Sequence, residues 1–228
     1  MNAFGQEIEI PINDIRLKGN LDIPEGARAI VVFAHGSGSS RFSPRNRYVA
    51  DVLRQAGLAT LLFDLLTEEE ERIDMMTAEL RFDIDLLAER LTKVTDWVTK
   101  NTTMQGLKLG YFGASTGAAA ALIAAANRPD VVYAVVSRGG RPDLAVYALP
   151  EVMAPTLLIV GGDDEPVIEL NKAALLHMPE TTETELKIIP GATHLFEEPG
   201  KLEEVARLAA GWFIDYIEAI PGEGLRAA

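Results

Sequence analysis

Leu107-Lys108-Leu109-Gly110-Tyr111-Phe112-Gly113-Ala114-Ser115-Thr116-Gly117 is the stretch that decides the fold. Its first six residues form a mostly apolar run of strand length. The alanine-rich stretch from Ala118 to Ala126 reads as a helix. Between them stands Gly-x-Ser-x-Gly, residues 113–117. A serine on a sharp strand-to-helix corner is pushed out of the sheet, and the flanking glycines are needed because a side chain there would collide with neighbouring backbone. The pentapeptide alone is a common chance pattern. The strand before it and the helix after it make Ser115 a candidate nucleophile.

Outward from this corner the chain alternates strand-like and helix-like segments, which predicts an α/β fold with a mostly parallel sheet. Glu7 to Ile12 and Ile15 to Ile23 alternate about Asn13-Asp14 and read as a hairpin. Ala29 to Ala34 is a continuous buried strand. Ser43 caps a helix with Pro44 in its first turn, an apolar face of Tyr48, Val49, Val52, Leu53 and Ala56, and Gly57 at its end. Leu58 to Phe63 is the next strand. A long helix carries Leu80, Ile84, Leu87, Leu91, Val94 and Val98 at helical spacing. Val131 to Val136, Thr156 to Val160 and Glu185 to Ile189 complete eight strands, with five or six helices in all. The last helix carries Leu202, Val205, Ala206, Ala209 and Phe213, and its Trp212, Phe213 and Tyr216 leave open inward packing or a homodimer contact. The whole of 1–228 reads as one domain with no linker, its tail 220–228 frayed.

Bulk properties exclude several function classes. A length of 228 residues suffices for a well-buried core, and 48% hydrophobic residues mark a soluble globular chain. The net charge of -13 argues against nucleic acid or anionic membranes as partners. The absence of cysteine excludes disulfides, thiolate metal sites and a cysteine nucleophile. Residues 1–7 lack the basic and apolar regions of a signal peptide, and no apolar run reaches the ~20 residues of a spanning helix, so a cytoplasmic location is expected. No cofactor and no metal are expected.

A serine hydroxyl needs a base, usually a histidine oriented by a carboxylate. The chain has three histidines. His177 falls in register with Val167, Leu170 and Ala174 and reads as a core-edge helix residue. His35 follows the third strand in His35-Gly36-Ser37-Gly38, and His194 follows the last strand. With Ser115, both lie beyond strand carboxyl ends, where sites gather in open parallel sheets. The carboxylate candidates are Asp163, Asp164 and Glu165, after the strand Thr156 to Val160. His35 reads better as a brace for its own loop than as the base.

His35-Gly36-Ser37-Gly38, Gly113 to Gly117, Gly161-Gly162-x-Asp164-x-x-Val167 and His194 together resemble an α/β-hydrolase, closest to the dienelactone hydrolase-related branch, over nearly the whole chain. The Ser, Asp, His order is that of the α/β-hydrolases. The resemblance implies an eight-stranded, mostly parallel sheet and a triad of Ser115, Asp164 and His194. It implies oxyanion donors at the backbone of Thr116 and Ser37. The expected activity is a serine carboxylesterase acting on small or short-chain esters through an acyl-enzyme, with a small-molecule ester as partner. True dienelactone hydrolases use a cysteine nucleophile; Ser115 in a cysteine-free chain points to ordinary ester hydrolysis instead. A lactone, thioester or activated-amide hydrolase and a non-catalytic binding module are the other readings. Some relatives of this branch carry a phosphoribosyltransferase-like domain, so the chain also reads as a domain excised from a larger fusion.

Two further expectations concern the site's surroundings. The eighteen residues 138–155 hold room for one short helix and no large cap, which predicts an open, shallow site. Arg45, Arg47, Arg138 and Arg141 lie at helix starts or strand ends. They either grip a substrate carboxylate or, the preferred reading, pair internally with Asp164, Glu165 or the Glu68-Glu69-Glu70-Glu71 run. That run reads as a solvated loop or helix start and not as a metal site. Phe42, Leu65, Leu66 and Phe196 line an acyl pocket or belong to the core.

Overall fold

All six residues of Ala29–Ala34 (β3) are buried, because both faces of this strand are covered. Ile30, Val32 and Ala34 point to one side and Ala29, Val31 and Phe33 to the other. In the computed structural model, which describes residues 5–219, these two sides become the two layers of the core. One is packed by Ile84–Lys100 (α3) and Thr116–Asn127 (α4), the other by Pro44–Gln55 (α1) and Lys201–Ala219 (α6). Each fully buried branched or aromatic side chain contributes ~1.5–3 kcal/mol to holding these layers.

The remaining strands are Gln6–Ile12 (β1), Ile15–Asp22 (β2), Ala59–Phe63 (β4), Lys108–Ala114 (β5), Val132–Arg138 (β6), Thr156–Gly161 (β7) and Thr184–Ile189 (β8). Their spatial order is β1-β2-β4-β3-β5-β6-β7-β8. β1 and β2 form the expected hairpin, β2 runs antiparallel to β4, and every other pair is parallel. After β3 the chain crosses outward to β4, then returns to the opposite side of β3 with β5. That reversal opens a crevice beyond the carboxyl ends of β3 and β5, the usual place for a ligand in such sheets. This is the α/β-hydrolase fold.

Several elements differ from the sequence reading. The buried face of α1 is Asn46, Val49, Ala50 and Leu53, an i, i+3, i+4, i+7 stripe, while Tyr48 and Ala56 are exposed. The expected long helix is broken: Glu68–Thr77 (α2) ends at Ala78 in a left-handed conformation, Leu80–Phe82 is a 3₁₀ turn, and α3 starts when Asp83 accepts the Leu86 N–H. The Asp74 carboxylate, 1% exposed, holds that break by accepting the Leu80 and Arg81 amides and the Arg81 guanidinium. Two 3₁₀ turns, Pro142–Ala145 and Leu149–Glu151, replace the single short helix expected between β6 and β7. His177 is not at a core edge. Glu165–Leu175 (α5) ends before it, and it stands exposed in the following turn. Trp212 and Phe213 pack inward, with the partly buried Tyr216 against them, next to β6 and Pro155, as the inward-packing expectation has it. Residues 220–228, expected to fray, lie outside the described residues.

Candidate active site

Ser115 joins β5 to α4 with φ 51° and ψ -122°, a region that non-glycine residues rarely occupy and that costs ~1–3 kcal/mol. Three backbone hydrogen bonds hold it there. Ser115 N–H donates to Arg138 O at 3.1 Å, and Ser115 O accepts from Ala118 at 3.1 Å and Arg141 at 3.2 Å. The glycines on either side are required sterically. A Cβ on Gly113 would stand 2.4 Å from Ala118 Cα, and one on Gly117 would stand 2.3 Å from the Ala34 carbonyl oxygen. With these contacts bare, α4 tucks against β3 and β5, and the half-buried Ser115 stands at the mouth of the crevice.

The loops after β7 and β8 bring Asp164 and His194 together. His194 Nδ1 lies 2.7 Å from Asp164 Oδ2, with His194 37% and Asp164 14% exposed. Asp163, its neighbour, is exposed, and its backbone N–H donates to Ala192 O. The carboxylate fixes the imidazole as the Nδ1–H tautomer and leaves Nε2 as the basic nitrogen. The histidine loop is itself tied: Thr193 donates its N–H (3.2 Å) and hydroxyl (2.6 Å) to Glu198 Oε1.

Gly139 links this pair to Ser115. It follows Arg138, whose carbonyl holds the serine amide, and it has φ +52°. A Cβ there would sit 3.4 Å from both Nδ1 and Cε1 of His194 and 3.2 Å from the His194 carbonyl oxygen. The imidazole therefore rests against the backbone that positions the serine. Sequence reading did not single out Gly139, although a Gly-Gly pair directly after a buried strand was a usable signal.

The two expected oxyanion donors are adjacent but not equivalent. Thr116 is the first residue of α4, so its N–H has no acceptor within the helix and sits at the positive end of the helix dipole. Ser37 N–H is already engaged: it donates to Thr116 Oγ1 at 2.9 Å. The threonine side chain thus stitches the loop after β3 to the start of α4, a contact only the folded chain reveals.

His35 is a brace. It is buried, its Nδ1 lies 3.0 Å from Gly36 O, and Leu65 N–H donates to its Nε2 at 3.1 Å. Both ring nitrogens are spent on backbone, which ties the loops after β3 and β4 together. Burial holds its pKa below the usual histidine value, so it stays neutral.

Among the described residues, Arg45, Arg138 and Arg141 do not make the expected pairing with Asp164, Glu165 or residues 68–71. Arg45 pairs with Glu197 at 2.8 Å, and Arg141 pairs with Asp143 at 2.7 Å. Phe42 lies under the guanidinium of Arg47. Arg138 is buried, and its Nε and Nη1 have no hydrogen-bond partner among the described residues. The acidic run is a capped helix start, in which Thr67 and Glu70 bond reciprocally. Its Glu70 is held at a pKa of about 2 by the forked grip of Arg90. No group of three or more potential metal ligands occurs among the described residues. Leu65, Leu66 and Phe196 belong to the core, whereas Phe42 is 48% exposed. Phe42 and Leu66 line a cavity of about 860 Å³ between the loop after β3, the hairpin and α2. Ser115, Asp164 and His194 do not line it.

Residues 17–218 match the dienelactone hydrolase family. The chain belongs to that family. Among solved structures, this dienelactone hydrolase family member is similar to a dienelactone hydrolase from Anabaena variabilis, with 64% identity and a TM-score of 0.91, covering 93% of this chain and 99% of that one. Est1E from Butyrivibrio proteoclasticus shares the fold at 17% identity and a TM-score of 0.78, over 93% of this chain and 99% of that one. In sequence, a Mycobacterium tuberculosis protein named "Putative phosphoribosyl transferase" is 58% identical over 212 residues, which is 93% of this chain and 46% of that protein. The chain thus spans about half the length of that relative. The family and the 64% identical neighbour support a hydrolase unit. No helix among the described residues is long and apolar enough to cross a membrane.

Proposed function

We propose that this chain is a serine carboxylesterase that cleaves small or short-chain esters through an acyl-enzyme at Ser115. The observation that carries the reading is the 2.7 Å His194–Asp164 pair, which leaves the second imidazole nitrogen available as a base beside a serine held at a strained strand-to-helix corner. Ser115 Oγ attacks the ester carbonyl while His194 Nε2 takes its proton. Asp164 keeps the tautomer and stabilises the imidazolium. The negative charge that develops on the carbonyl oxygen is met by Thr116 N–H, and by Ser37 N–H as it exchanges Thr116 Oγ1 for the oxyanion. His194 returns the proton to the leaving alkoxide, which departs as the alcohol. It then activates water to release the acid and free Ser115.

Residues 139–155 form only short turns between β6 and β7, which supports an open site for soluble substrates with no interfacial lipase behaviour. What stands near the oxyanion loop comes instead from the α2 region, where Arg81 Nη1 approaches within 3.5 Å of the position a Cβ on Gly38 would take. We further read the unit as cytoplasmic, working without cofactor on a small molecule. Its match to 46% of the mycobacterial relative supports a module that also occurs within a longer chain.

Turnover of p-nitrophenyl esters from acetate to palmitate tests the proposal, with activity expected to fall as the acyl chain lengthens. A preference for long emulsified chains contradicts it. Lactone hydrolysis is the second reading, favoured by the 64% identity to a protein named dienelactone hydrolase. A kcat/KM on an enol-lactone well above that on p-nitrophenyl acetate would select it.

A further inference from the structure

Residues 138–141 carry the backbone of the site, and each is held by a different contact. Arg138 O accepts the Ser115 N–H at 3.1 Å, Gly139 N–H donates to Ile159 O on β7 at 2.7 Å, and Arg141 N–H donates to Ser115 O at 3.2 Å. Gly139 is also the surface on which the His194 ring rests. Gly140 O remains, and a side chain meets it: Asn171 Nδ2, on α5, donates to it at 3.0 Å.

Asn171 is out of character with its surroundings. It is 0% exposed, on the face of α5 that otherwise buries Val167, Ile168 and Ala174. A side-chain amide in such a place is costly unless it is hydrogen-bonded. Nδ2 donates both its hydrogens, one to Gly140 O and one to Val167 O at 2.8 Å, whereas Oδ1 has no partner among the described residues. The two carbonyls identify the nitrogen end of the amide, since an oxygen there would face two acceptors. Asn171 is therefore kept in the core for its donors. The Val167 bond stays within the helix. The Gly140 bond reaches another part of the fold, across 31 positions.

The carbonyl it reaches belongs to a wedged residue. A Cβ on Gly140 would stand 1.9 Å from Ser137 Oγ and 2.7 Å from Ala118 Cβ, in the first turn of α4. Gly140 thus lies against the helix of the serine and is gripped from the helix of the acid. Asp164 immediately precedes α5, and its carbonyl accepts the Ile168 N–H of the first turn, so the carboxylate moves with that helix.

We propose that Asn171 is a positioning residue whose amide, by tying α5 to the 138–141 backbone, sets the spacing between the Ser115 corner and the Asp164–His194 pair. The inference rests on the serine-esterase reading and adds to it a residue that touches neither substrate nor the reacting atoms. Without the tie, the loop that holds Ser115 and the helix that carries Asp164 shift independently. The fraction of molecules with Ser115 Oγ aligned on His194 Nε2 then falls, and misalignment of this kind lowers the rate steeply. The crevice walls that hold the ester are unchanged, so the loss falls on kcat and not on KM.

Two variants test this. A threonine hydroxyl within a helix bonds the carbonyl four residues back, here Val167 O, so Asn171→Thr keeps the helix bond and gives up the one to Gly140. Asn171→Leu gives up both. On p-nitrophenyl acetate, with sites titrated by a fluorophosphonate, both variants are expected to lose about tenfold or more in kcat per titrated site. KM is expected to stay within about twofold of wild type. Asn171→Thr carries the test if Asn171→Leu folds poorly. Wild-type kcat per titrated site in Asn171→Thr, with or without a lower yield of folded protein, overturns the positioning role and leaves Asn171 purely structural. A loss that falls on KM overturns it as well. If wild type hydrolyses no ester, the serine-esterase reading fails by itself, and the tie is read instead by amide hydrogen exchange at Arg141. Exchange about tenfold faster in Asn171→Thr supports the tie, and equal exchange in the two proteins contradicts it.

Discussion

His35 and His194 both follow a strand at the carboxyl edge of the same sheet, and they are held in opposite ways. His35 is buried, and both of its nitrogens bond to backbone at 3.0 and 3.1 Å. His194 is 37% exposed, with Nδ1 on a carboxylate at 2.7 Å and Nε2 free of the partners that tie His35. A histidine between backbone groups in a dry site is locked neutral and can only hold loops in place. A histidine with a carboxylate behind it and an open edge in front can take up and return a proton. Position in the fold does not separate the two; the partner of the second ring nitrogen does.

The comparison can be broken most forcefully at His194. His194→Gln is expected to lower kcat/KM on p-nitrophenyl acetate by about 10⁴-fold or more, as removal of a triad base does. His35→Gln is expected to lose far less activity in whatever fraction remains folded. Comparable losses, both normalised to folded protein, contradict the division of roles. Asp164→Asn comes next, at about 10⁴-fold through loss of the tautomer and the countercharge, while Asp163→Asn stays within about threefold. The reverse order reassigns the acid.

A smaller effect is expected at the backbone against which His194 rests. Gly139→Ala adds a Cβ 3.2 Å from the His194 carbonyl oxygen, at a residue with φ +52°, so the histidine backbone must give way and carry its ring with it. A displacement of the imidazole by a fraction of an ångström lowers kcat by up to about 10²-fold with little change in KM. Unchanged kcat in a folded variant removes Gly139 from the positioning machinery.

The smallest effect concerns stability and belongs to His35. Its pKa is depressed in the folded state, so the unfolded chain, titrating near 6.5, binds the proton more readily. Stability from this group is complete above pH 6.5 and is lost as pH falls below that value towards the folded pKa. Urea melts of wild type between pH 8 and 5 are expected to show that loss, and His35→Gln to flatten it. Parallel pH dependences in the two proteins contradict the account of His35 as a buried neutral brace.

Much of this arrangement was legible in the residue order. Continuous apolar runs gave the buried strands, the alternation about Asn13-Asp14 gave the hairpin, and Gly113 to Gly117 between strand and helix signatures gave the serine corner. Local patterns of this kind carry their own physics: a period, a cap, a glycine with no room for a Cβ. Contacts between distant segments do not. Thr116 Oγ1 meets Ser37 N–H across 79 positions, and Arg45 meets Glu197 across 152, with nothing local to announce either. The partners expected for Arg45 and Arg141 failed for this reason, since surplus acid in a sequence does not say which carboxylate a fold delivers. His177 failed differently: helical register was extended past Leu175, where α5 had already ended. The break between α2 and α3 was missed because apolar spacing continues through it, while the carboxylates that enforce it, Asp74 and Asp83, read as ordinary polar positions.

The central claim is that Ser115 is the nucleophile. Mass spectrometry of protein treated with a fluorophosphonate, followed by peptide mapping, tests it directly, with p-nitrophenyl acetate turnover measured on the same samples. The account predicts one adduct per chain, on Ser115, with activity lost in step, and neither adduct nor turnover in Ser115→Ala. Ester hydrolysis that survives Ser115→Ala, or inactivation by an adduct on another residue, contradicts it.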